Sequence, residues 1–596
     1  MHLGESRIMK HLIETATIPG IGEIVLQGLI VVVGPNSSGK TQLLHDLSSR
    51  MLGERDYVVC SGVGIRKPLD AQSFIRELEQ NKLVIVRRDK GNSPYVLIRT
   101  SHLGTNKPLE NKEFPAELIV NILKEWDNKG HKKHFATMFG PLLCANLFLG
   151  DRFNITTETK AFDHTQVGPQ NEIQALHVNS KAQDLLNEEI GRAFGRGIGL
   201  DYSRHVLTLR VTEDRSAKSP TMRPDEAMDH FPIDTEGDGL RSYVAICLSM
   251  LVSFRPLYLI DEPESCLHPP QAYSLGQFIG KHANDNQATT VVATHSSHVL
   301  RGMIETADSI AIIRMSRFNK RFLAHRVPND VLRKAIERPI VRADEILDGI
   351  FADGVIIVEA DGDRAVYQAA YETEDRDRHF DATFIAVGGI GGIGPIAAFF
   401  HALRIPTAVM ADLDIVVQKK SDLEAILTQL SDDKDAVANI IARCVAVREK
   451  LKELPPSISV QDAKASLQEI VERDLKWEDG GDKELVNSLK DLADRVDAIH
   501  KLKTGLESLD SHKDIQNEVK SIVAACKSLG LFLAPVGELE RWMPELMTGV
   551  SRKRKAEWAN EAVRRIRQQP ENAKDVVAFV SEIASALEAR RNAAFR

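Results

Sequence analysis

Three carboxylates in the second half of the chain stand where buried, strand-like runs end: Glu359 after "DGVIIV", and Asp412 and Asp414 closing "IPTAVMADLD". Asp361 and Asp363 follow Glu359 in what reads as a short loop before a helix. Residues i and i+2 of a strand point to the same side. The two aspartates are therefore expected to share a face at the carboxyl end of a parallel sheet, close to Glu359 on a neighbouring strand. Gathering these charges without a cation costs on the order of several kcal/mol in repulsion and desolvation. The fitting occupants are a pair of hard divalent ions, Mg2+ or Mn2+, and the chemistry such a pair supports is in-line hydrolysis of a phosphodiester.

Between these acids lies a competing signal. Gly389-Ile-Gly391-Gly-Ile-Gly394 spells G-x-G-x-x-G, and Asp412 follows at about the distance of a ribose-binding acid. A dinucleotide site, however, needs one acid and an uncharged pocket for the pyrophosphate, whereas at least three carboxylates converge here. The glycines then read as a tight turn beside a metal cluster, with Pro395 in the first turn of the next helix.

A second constellation occupies the first half. In "GLIVVVGPNSSGKTQLLHDL" a buried strand leads into G-x-x-x-x-G-K-T and then a helix. Gly34, Asn36, Ser37, Ser38 and Gly39 are expected to turn backbone N–H groups toward the phosphates of ATP. Lys40 supplies a point charge to the β and γ groups, and Thr41 holds magnesium. About 220 residues later "PLYLIDEPESCLHPPQ" ends a strand on Asp261, a magnesium ligand through water, and Glu262, placed to polarise the attacking water. "TTVVATHSSHVLRG" ends a further strand on His295, within reach of the γ-phosphate.

The elements that must position these residues make an α/β chain of several domains, since 596 residues exceed one domain and 43% hydrophobic content is ordinary for globular cores. An ATPase domain is expected over 1–345 and a second domain over 346–596. The interval 50–230 alternates strand-like and helix-like runs, the remainder of the ATPase lobe plus an insertion, with Gln170 and Gln174 as the candidates for a glutamine loop. From 416 to 528 the spacing predicts a helical insertion, broken at Pro455-Pro456 and Gly480-Gly481. Six cysteines without a C-x-x-C pair exclude a zinc ribbon or disulfide framework and fit a reducing cytoplasm. A net charge of −8 gives no global attraction to nucleic acid, so DNA contact must rest on local basic patches or on ions offsetting carboxylates. The apolar run 24–33 is too short to span a bilayer, and no membrane partner is expected.

The three ATPase blocks, in this order, resemble the ABC-type heads of SMC and RecF-like proteins, and "EPESCLHPPQ" is similar to the ATPase half of the OLD (overcoming lysogenisation defect) family. The strand with Glu359, the glycine turn and the D-x-D strand resemble the Toprim fold shared by topoisomerases, primases and several nucleases. "VEADGD" parallels the V-E-G-x-x-D of OLD nucleases, with Ala360 in place of glycine and Ile390 where a lysine is common. The resemblance implies an ABC-type head followed by a Toprim domain. It implies that the loop of "TEGDGLRSYVAICLSML", with Gly237 and Gly239, reaches the ATP of a partner subunit in a homodimer or larger assembly. A plain helix start, capped by Glu236 or Asp238, is the alternative. The resemblance further implies that Glu538 or Glu540 completes a second metal site and that Lys555 assists at the scissile phosphate, against the alternative of a solvated basic helix. The activity implied is an ATP-regulated, metal-dependent DNA endonuclease in defence against phage, working with a companion protein in some systems. Competing readings are RNA cleavage, a Toprim topoisomerase or primase, and a non-catalytic ATP-driven scaffold. Neither a separate domain with a nucleophilic tyrosine nor a zinc module is visible for the topoisomerase or primase.

Overall fold

Leu29–Val33 is five consecutive apolar residues, all buried, as a strand covered on both faces requires. A computed structural model of the chain describes residues 12–595 other than 52, 54–56, 81–83, 89–93, 99–112, 164–168, 203–204, 214–229, 253–254, 286–287, 328–342, 374–379, 455–457, 473–484, 487, 490–491, 493–497 and 553. The breaks expected at Pro455-Pro456 and Gly480-Gly481 lie outside the described residues. The chain folds as two compact units, Met1–Arg333 and Lys334–Arg596.

In the first unit β1 (Leu29–Val33) runs into α1 (Lys40–Met51). The same sheet takes β2 (Cys144–Leu147), followed by the short α2 (Leu149–Ile155). After α3 (Asp238–Val252) come β3 (Leu257–Asp261), α4 (Pro269–Asp285), β4 (Thr289–Ala293) and α5 (Ser297–Thr306). The hairpin β5 (Ile310–Phe318) and β6 (Arg321–Val327) completes it. The strand order is β6-β5-β1-β4-β3-β2, parallel except for the edge strand β6. In such a sheet the loops after β1, β4 and β3 open on the same edge, so the phosphate loop, His295 and Asp261 come together although far apart in sequence. β2, a fully buried four-residue strand within 50–230, belongs to the main sheet, so this interval supplies part of the ATPase lobe itself.

The second unit is built on β7 (Gly354–Val358), α6 (Asp361–Glu372), β8 (Ala382–Ala386), α7 (Ile390–Ala402) and β9 (Thr407–Asp412). Helices α8 (Lys420–Leu430), α9 (Lys434–Lys452) and α10 (Lys513–Leu529) intervene before β10 (Leu531–Ala534), and α11 (Lys555–Gln568) and α12 (Lys574–Ala593) close the chain. All four strands are parallel in the order β8-β7-β9-β10. Trp558 on α11, Val366 on α6 and Val580 on α12 are sealed in one apolar core with Ile356 and Met410 of the sheet. Buried Tyr367 accepts a hydrogen bond from the Trp542 indole at 3.1 Å, satisfying the polar ends of both rings.

Three local expectations change here. Asp412 is the last residue of β9, but Asp414 lies in the 3-10 turn Leu413–Val416, so the alternation of a strand does not relate the two. Asp361 and Asp363 sit in the first turn of α6 rather than in a loop. Helix α7 starts at Ile390, so the G-x-G-x-x-G glycines open the helix itself and Pro395 is its sixth residue, past the first turn.

Candidate functional site

The ATPase residues form one edge. Gly34, Asn36, Ser37, Ser38 and Gly39 make the turn between β1 and α1, and Lys40 opens the helix. The Lys40 ammonium donates to the carbonyls of Gly34 and Pro35 at 2.8 and 2.9 Å, which folds it back over the loop. Burial lowers its pKa, opposed by Glu262, Glu264 and Asp261. The Thr41 hydroxyl donates to Asp261 Oδ1 at 3.0 Å, so both proposed magnesium ligands lie together. Burial raises the Asp261 carboxyl, the Thr41 hydrogen bond opposes this, and Glu262 adds to it. His295 Nδ1 is 3.6 Å from Glu262 Oε1 and 3.2 Å from Glu264 Oε1.

Gly237 precedes α3 and Gly239 lies in its first turn, but the two differ physically. A Cβ at Gly239 would stand 2.3 Å from the Cys266 carbonyl oxygen, whereas one at Gly237 would meet nothing within 4 Å. Gly239→Ala is therefore expected to cost about 1–3 kcal/mol of stability and Gly237→Ala almost none, a contrast that thermal denaturation reads directly. Loss of ATP turnover in Gly237→Ala without loss of stability would mark Gly237 as the ligand-facing glycine. Glu236 is held by Arg196 at 3.0 Å. The Gln170 N–H donates to Gln174 Oε1 at 2.7 Å and the Gln174 amide donates to the Lys160 carbonyl at 2.9 Å, so both ends of the Gln174 side chain are engaged locally.

In the second unit Glu359 follows β7, Asp412 ends β9, and Glu538 and Glu540 follow β10, so three adjacent parallel strands deliver acids to one rim. Asp363 Oδ2 accepts the Ala360 N–H at 3.0 Å, which fixes it at the start of α6. Asp414 is buried and accepts from Gln418 at 2.9 Å. Buried Glu540 places Oε1 3.3 Å from the Lys555 ammonium at the start of α11. Burial and the neighbouring Asp363, Asp414 and Glu538 push the Asp412 carboxyl up to about 8, with Lys555 opposing. Burial lifts Asp363 to about 6, helped by Glu359 and Glu540. Glu359 and Glu538 are also raised, mainly by burial. Partial desolvation works against the Lys555 charge, but Glu540, Glu538 and Asp412 outweigh it and raise its pKa. The glycine turn adjoins this rim, because the Gly389 N–H donates to the Glu359 carbonyl at 2.9 Å.

Residues 350–414 match the family model described as "Overcoming lysogenization defect protein-like, TOPRIM domain". Residues 177–301 match "AAA domain, putative AbiEii toxin, Type IV TA system". The chain joins an ATPase domain to an OLD-like Toprim domain. No curated protein matches it. Among solved structures, an SMC head bound to the C-terminal winged-helix domain of ScpA is 13% identical, covers 55% of this chain and 100% of its own, and has a TM-score of 0.31. The SMC head domain from Thermotoga maritima is also 13% identical over 53% of this chain and 99% of its own, at a TM-score of 0.26. The transporter component CbiO1 from Clostridium perfringens is 14% identical over 55% of this chain and 94% of its own, at 0.25. Among the described residues no helix is long and apolar enough to cross a membrane.

The donor set of the Toprim domain fits a hard cation. All six candidates offer carboxylate oxygen, and Glu540 Oε2 is sealed from solvent with no hydrogen-bond partner. Among the described residues no three or more His, Cys, Asp or Glu side chains stand together as a group able to hold a metal ion, so a bound ion would need these acids to draw closer or would take much of its oxygen shell from water or substrate.

Two residues packed against the ATPase edge leave no mark that the sequence alone reveals. Glu264 Oε1 accepts from the Thr294 hydroxyl and the His295 N–H, both at 2.8 Å, and so aims His295, while its Oε2 is buried without a partner. Arg152 on α2 is fully buried and bonds the backbone of the acidic turn after β3. The "EPES" wording contains Glu264, but nothing in it distinguishes a clasp from a solvated acid. Arg152 carries no periodic or motif signal at all.

Proposed function

We propose that the protein is an ATP-regulated, divalent-metal-dependent DNA endonuclease serving in defence against phage or other foreign DNA. The observation that supports it most is the meeting of acids from three adjacent parallel strands with Lys555 inside the Toprim domain. Glu359, Asp363, Asp412, Asp414, Glu538 and Glu540 would hold Mg2+ or Mn2+, which supply Lewis acidity and an activated nucleophile when bound. Lys555 neutralises charge at the scissile phosphate, and the acid rim orients the phosphodiester for in-line attack. In the ATPase domain the phosphate loop from Gly34 to Gly39 and Lys40 grip the phosphates. Thr41 and Asp261 would hold magnesium, Glu262 would polarise the attacking water and His295 would contact the γ-phosphate. The loop at Gly237 and Gly239 acts on the nucleotide of a second copy, which makes the working unit a homodimer or larger, and nucleotide-driven closure gates access of DNA to the cutting site.

Supercoiled plasmid incubated with Mn2+ or Mg2+ is expected to become nicked and linear, and EDTA to abolish the reaction. Lys40→Ala should keep metal-dependent cutting while losing its response to ATP. Intact plasmid in every divalent ion, with and without ATP, would overturn the reading.

A further inference from the structure

The acid rim continues along the chain into a site of opposite sign. After the 3-10 turn carrying Asp414 come Gln418, Lys419 and Lys420. These line a small cavity whose floor is the buried Leu423 of α8 and the buried Ile441 and Cys444 of α9. Arg448, one turn farther along α9, closes it. Arg448 Nε is sealed from solvent with no hydrogen-bond partner, and Lys419 and Lys420 are exposed. Among the described residues none of these three cations has an ion-pair partner, while the adjacent Glu449 is engaged by Lys452 at 2.7 Å.

We propose that this cavity is a subsite for a backbone phosphate of the DNA strand, next to the scissile phosphate. Arg448 is half-buried beside an apolar floor and has no carboxylate partner among the described residues, so its charge is left for an anion to balance. An apolar floor is a surface of low dielectric, which strengthens attraction between the cations beside it and a phosphate oxygen. Gln418 lines the cavity and donates to Asp414 at 2.9 Å, so the subsite and the acid rim are held to one another. The chemistry also answers a need: a substrate polyanion approaching six carboxylates requires cations beside them, and a net charge of −8 supplies no general attraction.

The inference rests on the endonuclease reading, and the test separates the two. The full chain carrying Asp412→Ala, which stops cutting, is titrated with a labelled DNA duplex over a range of NaCl concentrations. Adding Lys419→Gln with Lys420→Gln, both on exposed side chains, is expected to weaken binding about tenfold. The slope of log K against log salt should fall by about 0.9 for each phosphate that is no longer neutralised. Arg448→Gln should act in the same direction. In the cutting-competent chain these changes raise KM for plasmid and leave kcat and ATP hydrolysis unaltered. An unchanged slope and KM, with DNA bound and cut, overturns the subsite alone. Competition by inorganic phosphate with no effect of the variants on DNA, or an effect on RNA only, overturns it too. Absence of any DNA binding or cutting by the unsubstituted chain overturns both readings.

Discussion

Asp412→Asn is expected to lower DNA cleavage by about 100-fold or more while raising the melting temperature of the metal-free protein. The two effects have one cause. Asp412 is held among Asp363, Asp414 and Glu538 with its carboxyl pushed up to about 8 by burial and by those neighbours, and Lys555 offsets only part of this. A carboxyl whose folded pKa lies above its unfolded value leaves stability untouched below the unfolded pKa. It subtracts stability as pH rises toward the folded value, because the unfolded chain gives up its proton first. Between about pH 4 and 8 the metal-free fold therefore carries a growing penalty. Asparagine keeps the shape and removes the charge, a gain of about 1–3 kcal/mol near neutral pH. For a unit of this size that corresponds to several degrees in the melting transition.

Divalent ions act on the same penalty. Mn2+ should raise the melting temperature of the unsubstituted protein by binding the folded rim and not the unfolded chain. The gain should be much smaller in Asp412→Asn, so the two melting curves approach each other as Mn2+ is added. Denaturation followed with EDTA and with Mn2+ reads both quantities. A metal-free variant that melts below the unsubstituted protein would show that Asp412 has a structural partner and that the rim is not a cation site.

How far the sequence can be read follows from how each residue is placed. The phosphate loop and Asp261 are legible because each stands where an apolar run stops at a polar residue, and a buried parallel strand leaves that mark in the chain itself. Glu359 and Asp412 are legible for the same reason. Asp414 reads as a strand residue because period-two spacing looks identical in a strand and in a tight 3-10 turn. The start of α7 is hidden because glycines at 391, 392 and 394 oppose helix formation locally. Packing of buried Ile393, Ile396 and Phe400 overrides that preference. β2 has four residues and includes Asn146, too short and too polar for a pattern to declare it. Glu264 is defined by partners 30 and 31 residues away and Arg152 by partners 90, 109 and 110 residues away, and no local signal encodes such pairings.

Arg152 carries the second large prediction: Arg152→Lys should bind ATP nearly as well as the unsubstituted protein and hydrolyse it about 100-fold more slowly. Its guanidinium donates to the carbonyl of Leu147 at 2.9 Å, to the Ser242 hydroxyl at 2.9 Å, to the Glu262 carbonyl at 3.2 Å and to the Asp261 carbonyl. One planar fork thus ties the end of β2 and the helix α3 to the turn bearing both acids. Glu262 has a positive φ of 44°, a strained conformation for a residue with a side chain, and its carbonyl is one of those held. With both peptide oxygens fastened to Arg152, the turn has little freedom to redirect the side chains of Asp261 and Glu262. An ammonium is a single point and cannot reach four acceptors in three elements, so the acids would lose their aim while Lys40 and the phosphate loop still grip nucleotide. Arg152→Ala would orphan all four acceptors in a fully buried place and cost about 3–5 kcal/mol, which makes lysine the more informative change. A fluorescent nucleotide measures binding and phosphate release measures turnover. Turnover at the unsubstituted rate in Arg152→Lys would show that the fork supports the fold and does not aim the acids.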